Sequence, residues 1–160
     1  MTAMPKPISS ESALIADELH RAFYGNAWHG PAVLELLSDI SAAAAAARPI
    51  PNVHSIWELL LHIAVWDNAG LVRLSGKKYQ PTGTDNFPLV TKPTEAAWRK
   101  AVAQAKRTHD TLEKTVASLP DSRLRDRVPG KRYNFSHMLH GIVQHELYHA
   151  GQIALLKKAQ

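Results

Sequence analysis

Apolar residues recur at helical spacing along most of the chain, and prolines and glycines divide it into helical segments. No segment shows the strict alternation of apolar and polar residues that predicts a strand. The pattern predicts four long helices joined by connections of unequal length. We therefore expect an all-α fold, a four-helix bundle with an additional short helix.

Residues typical of helix ends mark the predicted boundaries. The first helix follows the serines of "PKPISSES" and stops at Gly25, and a second segment, "NAWHGPAVLELLSDISAAAAAARP", ends before Pro49. The apolar segment "SIWELLLHIAVWDNAGLVRLSG" begins with Ser55 and Glu58 in capping-box spacing. Thr94 caps an amphipathic helix with a charged outer face. The last helix is predicted in "FSHMLHGIVQHELYHAGQIALLKKAQ".

Length and composition limit the classes of protein to consider. A chain of 160 residues with 45% apolar residues is predicted to form a single domain over residues 1–160. Its net charge of +5 arises from basic residues interleaved with acidic ones, which argues against a nucleic-acid partner. The segment "MTAMPKPISSES" lacks the features of a signal peptide, and no window resembles a membrane span, so we predict a cytoplasmic protein without membrane association.

The last predicted helix contains "HELYH" at residues 145–149, which matches the HExxH motif of zinc peptidases. His145 and His149 lie roughly 40° apart on a helical wheel and share a face with apolar residues. Two buried imidazoles need polar partners, and one shared metal ion would serve both. The alternative is a pair of core histidines bonded to the backbone or to Tyr148. Because the chain has no cysteine, any metal must have nitrogen or oxygen ligands.

A catalytic metal site of this kind needs a third protein ligand. HExxH peptidases take it from downstream, yet "AGQIALLKKAQ" after His149 contains neither an acid nor a histidine. The best upstream candidate is His62, which lies in the most apolar helix of the chain. With His145 and His149 it would form a neutral three-histidine site with open positions, suited to Zn, Ni, Fe or Mn.

Other residues are candidates for catalytic or supporting roles around the metal. Glu146 is the candidate catalytic base, although its angle to both histidines also suits a residue that orients a ligand. Trp66, Asp67 and Tyr148 are candidates for the pocket or for contacts behind the ligands. The remaining histidines are predicted to have surface or capping roles: His20, His29, His54, His109, His137 and His140. Of these, His29 is also a pocket candidate, and His109 is expected on a charged helix face.

The chain resembles the DinB-like superfamily, the damage-inducible-protein-like metal-binding bundles that include the bacillithiol transferases. The resemblance covers nearly the whole chain and depends on the order and spacing of four features. These are "AWHGPAVLELL", "SIWELLLHIAVWD", the helix around Trp98 and "HGIVQHELYHAGQIALLKK". It implies a four-helix bundle that binds a divalent metal through His62, His145 and His149. It also implies a homodimer.

Three functions are therefore compared. The best-understood branches of this family move or open thiol-cofactor adducts. The resemblance therefore leads us to favour a metal-dependent enzyme, a thiol S-transferase or small-molecule hydrolase whose substrate is a small molecule such as a thiol conjugate. The second is an HExxH metallopeptidase, in which Glu146 would be essential. The third is a non-catalytic, metal-stabilised dimeric bundle.

Overall fold

The computed structural model describes residues 10–160, and all its regular elements in that range are helical. The long helices are α1 (Glu11–Phe23), α4 (Ile56–Leu74), α6 (Glu95–Ala117) and α7 (Phe135–Lys158). The short ones are α2 (Val33–Leu37), α3 (Ala42–Ala46), α5 (Gly83–Asn86) and a 3-10 helix, Asp121–Arg125. The all-α prediction with four long helices is confirmed, with more short helices than the single one expected.

The predicted caps start the long helices. Ser55 Oγ accepts the backbone N–H of Glu58, and the Glu58 carboxylate accepts the N–H of Ser55 at 2.8 Å, which completes the capping box. Ser10 and Thr94 cap α1 and α6 in the same way. The segment predicted as one helix breaks into α2 and α3, because Ser41 starts a new helix.

The long helices form a square in cross-section. α6 packs against α1 and α4, and α7 packs against the same two helices. Within residues 10–160, the backbones of α1 and α4 do not approach each other closely, nor do those of α6 and α7, so each of these pairs is diagonally opposed. Gly70 lets α4 approach α7 closely, since a Cβ atom there would lie 2.7 Å from Ile142 Cδ1. The close approach brings together the two helices that carry the predicted ligands.

Buried polar residues occupy the middle level of the bundle, between two apolar clusters. One cluster contains the start of α4 and α6 with the end of α7, and the other contains their opposite ends with α1. Between them, buried polar side chains come from α4, α6 and α7: His62, Asp67, His109, Glu146 and His149. Buried polar groups are costly unless they are paired, so this level is the place to look for a function.

No helix within the described range is long and apolar enough to cross a membrane. The expected absence of a signal peptide concerns a segment that lies mostly outside the described residues. That expectation therefore stays a prediction, as does the single domain over residues 1–160.

Candidate metal centre

The structure brings the three predicted ligands together between α4 and α7. His145 Nε2 lies 2.9 Å from His62 Nε2 and 3.0 Å from His149 Nε2. His62 and His149 are about 5% and 6% exposed, while His145 is half-buried. Three imidazole nitrogens, drawn from two helices, thus point at one common place.

The other ring nitrogens define which tautomers are present. His62 Nδ1 lies 2.7 Å from the carbonyl oxygen of Asn86, and His149 Nδ1 lies 2.6 Å from Oε1 of Gln152. Both oxygens can only accept, so each Nδ1 carries the proton and each Nε2 of these two residues carries a lone pair. One proton on His145 Nε2 could serve only one neighbour, whereas a metal ion at this place would be bound by all three nitrogens. The donor set therefore fits a divalent cation.

The three imidazoles are also held in their neutral form. Burial lowers the pKa of His62, His145 and His149, and for His145 the pKa falls to about 3 with help from its two histidine neighbours. Metal ions bind neutral imidazole, so protons do not compete for these nitrogens near neutral pH.

Residues of the linker that contains α5 hold the His62 ring in place. Phe87 stacks on His62 with ring centres 3.8 Å apart and planes nearly parallel. Asn86 accepts from His62 through its backbone oxygen and from Trp66 Nε1 through its side chain at 2.9 Å. Sequence reasoning missed Asn86, Phe87 and Gln152, because a linker without periodicity does not reveal which helix it covers.

A second polar cluster lies at the centre of the bundle. His109 Nδ1 is 3.1 Å from Asp67 Oδ2 and 3.1 Å from Glu146 Oε1, and all three residues are 0% exposed. The prediction that His109 has a surface or capping role is therefore wrong. Its position four residues after Ala105 and three before Leu112, both buried, was the signal that could have identified it.

This second cluster, Asp67–His109–Glu146, contains its own cation. Burial would lower the pKa of His109, but the two carboxyls outweigh that and raise it to about 10. Burial and the neighbouring Asp67 raise the pKa of Glu146 to about 8. At neutral pH the protonated His109 ring therefore places a positive charge between the two acids. The donors of this cluster would also suit a metal ion, yet His109 already provides a cation there.

A cavity of about 270 Å³ opens beside His145, on the side of α4 and α7 where Trp66, a predicted pocket residue, forms part of its wall. Tyr148 is 66% exposed and lies, with His149, in a second depression of about 340 Å³. The candidate centre is thus bordered by space for a small molecule.

The other predicted surface histidines do not join either cluster. His20 and His140 form exposed pairs with Glu113 and Glu18. His54 stacks on Phe87, and His29 lines a surface groove, as expected for a pocket candidate, but away from the three-histidine cluster.

The family model of the DinB superfamily matches residues 27–153, a range that holds α4, α6 and most of α7. Comparison with curated proteins and with solved structures gave no match. The matched range contains His62, His145 and His149.

Proposed function

The chain belongs to the DinB superfamily, and from that premise we propose that it is a divalent-metal-dependent enzyme, a thiol S-transferase or a small-molecule hydrolase. His62, His145 and His149 are its metal ligands in this proposal. The observation that supports it most is the convergence of three neutral imidazole nitrogens beside a cavity. The proposal includes a small-molecule substrate such as a thiol conjugate, a homodimer and a cytoplasmic location.

A divalent ion held by these residues would supply Lewis-acid chemistry, by making a water more acidic or by stabilising a substrate thiolate. The chain's own residues prepare the place for it. Asn86 and Gln152 fix the orientation of two ligand rings through their Nδ1 protons. Phe87 covers one face of His62 and keeps water from it. Trp66, Met138 and Ile142 give the cavity an apolar wall that holds the body of a substrate.

Glu146 has a positioning role in this proposal. Its carboxyl is fully buried and contacts His109, whereas a peptidase base must reach a water at the metal. Glu146 follows His145 directly in α7, so its contact with His109 on α6 helps to fix the rotation of α7 and the aim of His145. This geometry favours a transferase or hydrolase over the HExxH peptidase.

The experiment that tests the proposal is elemental analysis of the purified wild type beside His62→Ala, together with assays of thiol transfer and ester hydrolysis. We expect stoichiometric metal and activity in the wild type and loss of both in the variant. His140→Ala, an exposed histidine of α7, is the matched control and should keep both. Equal metal in wild type and His62→Ala would refute the three-histidine centre.

Two further outcomes separate the alternatives. Stoichiometric metal without turnover of any thiol or ester substrate would support the non-catalytic bundle. Cleavage of casein that disappears in Glu146→Gln, with the metal retained, would support the peptidase.

A further inference from the structure

The cavity beside His145 contains a buried positive charge. Arg73 lines it and is only 2% exposed. Its guanidinium lies over the Trp66 ring, 5.4 Å from the ring centre, and donates to the Tyr79 carbonyl oxygen through Nε and one terminal nitrogen. That terminal nitrogen also donates to Gln80 Oε1. A guanidinium stays charged at all ordinary pH values, so Arg73 carries a full charge into an apolar place.

No Asp or Glu of the described residues forms an ion pair with Arg73. Arg73 takes part in none of the ion pairs with N···O within 4.0 Å found among residues 10–160. Its acceptors are neutral, and one of them, Gln80 Oε1, also accepts from Lys131 Nζ at 2.6 Å. Buried charges are ordinarily paired. Two cations that share a neutral amide therefore indicate that the missing negative charge belongs to a ligand.

The positive charge continues outside the cavity. A neighbouring depression of about 410 Å³ shares Tyr133 and His137 with the cavity and is lined by Arg125, Arg127 and Arg132. The turn that carries Arg127 and Arg132 is held in place, because Val128 N donates to the Tyr133 oxygen at 3.0 Å, and Arg127 pairs with Asn134 in a β-bridge. Neither the cavity nor the depression is lined by an Asp or Glu among the described residues.

We infer that the cavity binds a small organic anion, with its carboxylate or phosphate on Arg73 and its apolar body against Trp66 and Ile142, beside His145. The arginines of the neighbouring depression attract such anions toward the cavity. This inference deepens the proposed function, because it names the substrate class of the same centre. A nucleic acid fits the arrangement less well, since Arg73 is buried within a cavity of about 270 Å³.

Calorimetric titration with hexanoate, hexyl phosphate and the neutral hexanol tests this inference. The protein is stripped with chelator, so that a carboxylate binding to a metal does not contribute. We expect at least one anion to bind about tenfold more tightly than hexanol, as charge-assisted hydrogen bonds to Arg73 require. A preference for hexanoate would identify a carboxylate ligand, and one for hexyl phosphate a phosphate ligand. Equal binding of all three probes would overturn the inference.

Substitution locates the binding site of the anion. Arg73→Met keeps an apolar stem of similar length and should abolish the preference, whereas Arg107→Met, an exposed arginine of α6, should retain it. Circular dichroism checks that both variants fold. If Arg73→Met does not fold, nuclear magnetic resonance on the wild type replaces it, and hexanoate should shift the Trp66 indole N–H signal. Preference retained in a folded Arg73→Met, or no shift at Trp66, would contradict the assignment.

Two outcomes separate this inference from the proposed metal centre and from binding of nucleic acid. Failure to bind metal in the elemental analysis would refute the proposed centre while leaving the anion titration, done without metal, fully interpretable. A short single-stranded oligonucleotide that binds more tightly than hexyl phosphate and depends on Arg127 and Arg132 but not on Arg73 would instead point to nucleic acid and overturn the small-molecule inference.

Discussion

The two buried polar clusters at the middle of the bundle share α7 but have opposite chemistry. The three-histidine cluster has only neutral nitrogen donors, and two of its members, His145 and His149, border cavities. The Asp67–His109–Glu146 cluster is fully buried and contains two acids with the base that neutralises them. The first consists of neutral imidazoles, whereas the second contains a cation in His109. Donor composition and access thus differ as expected between a cluster proposed to bind a metal and one that joins helices.

Helical geometry explains how one short stretch serves both clusters. His145 and His149 lie one turn apart on one stripe of α7, while Glu146 lies about 100° from His145. That rotation carries Glu146 across the bundle axis to His109 on the diagonally opposed α6. The letters of HExxH therefore divide between the two clusters, with both histidines in the three-histidine cluster and Glu146 in the other.

The largest expected effect on stability is that of His109→Leu. It removes the cation between Asp67 and Glu146 and leaves buried acids unbalanced, so we expect a loss of about 3–5 kcal/mol in the free energy of unfolding. Urea unfolding followed by circular dichroism measures it. Asp67→Asn with Glu146→Gln in the same chain should recover part of the loss, since neither amide carries charge. A loss below about 1 kcal/mol would show that the cluster is not charged.

Metal binding should stabilise the protein through the three-histidine cluster alone. A ligand that binds only the folded state at about 100 times its Kd adds about 2.7 kcal/mol. We expect a gain of that order when the chelated wild type is reloaded with metal, measured by thermal unfolding. His62→Ala should show no gain. If metal still stabilises His62→Ala but does not stabilise a folded His109→Leu, the metal binds at the Asp67–His109–Glu146 cluster instead.

The protonation of His109 separates the clusters by pH. Its pKa in the folded protein is raised to about 10, above the ordinary value of 6.5, so its stabilising effect is fully present below pH 6.5 and is lost as the pH rises through 10. Asp67 from α4 and Glu146 from α7 are the ionisable groups that face it, with Tyr24 from α1 nearby. Nitrogen chemical shifts at pH 8 should show a charged His109 ring and a neutral His145 ring. A neutral His109 ring would contradict this prediction.

Most of the fold and the set of three histidines could be predicted from the sequence, for physical reasons. Ser55 with Glu58 starts a helix by local bonds, and the spacing of His145 and His149 places them on one face whatever the tertiary structure. His62 was predicted as a ligand because an imidazole in an otherwise apolar helix needs a polar partner. Arg73 was missed because its surroundings depend on the path of the linker, which no periodicity encodes. His109 was missed because the many charged residues of α6 obscured the stripe of buried residues that includes it.

The smallest effect is expected for His140→Ala, which removes a histidine of α7 that belongs to neither cluster. His140 Nδ1 lies 3.1 Å from Glu18 Oε2, and the two side chains are 41% and 47% exposed. Water screens such a pair, so the free energy of unfolding should change by less than about 0.5 kcal/mol, and metal content should not change. Urea unfolding and elemental analysis measure both. Because His140 lies only five residues before His145, a loss of metal in this variant would mean that the rotation of α7, and not the ligand set alone, controls the centre.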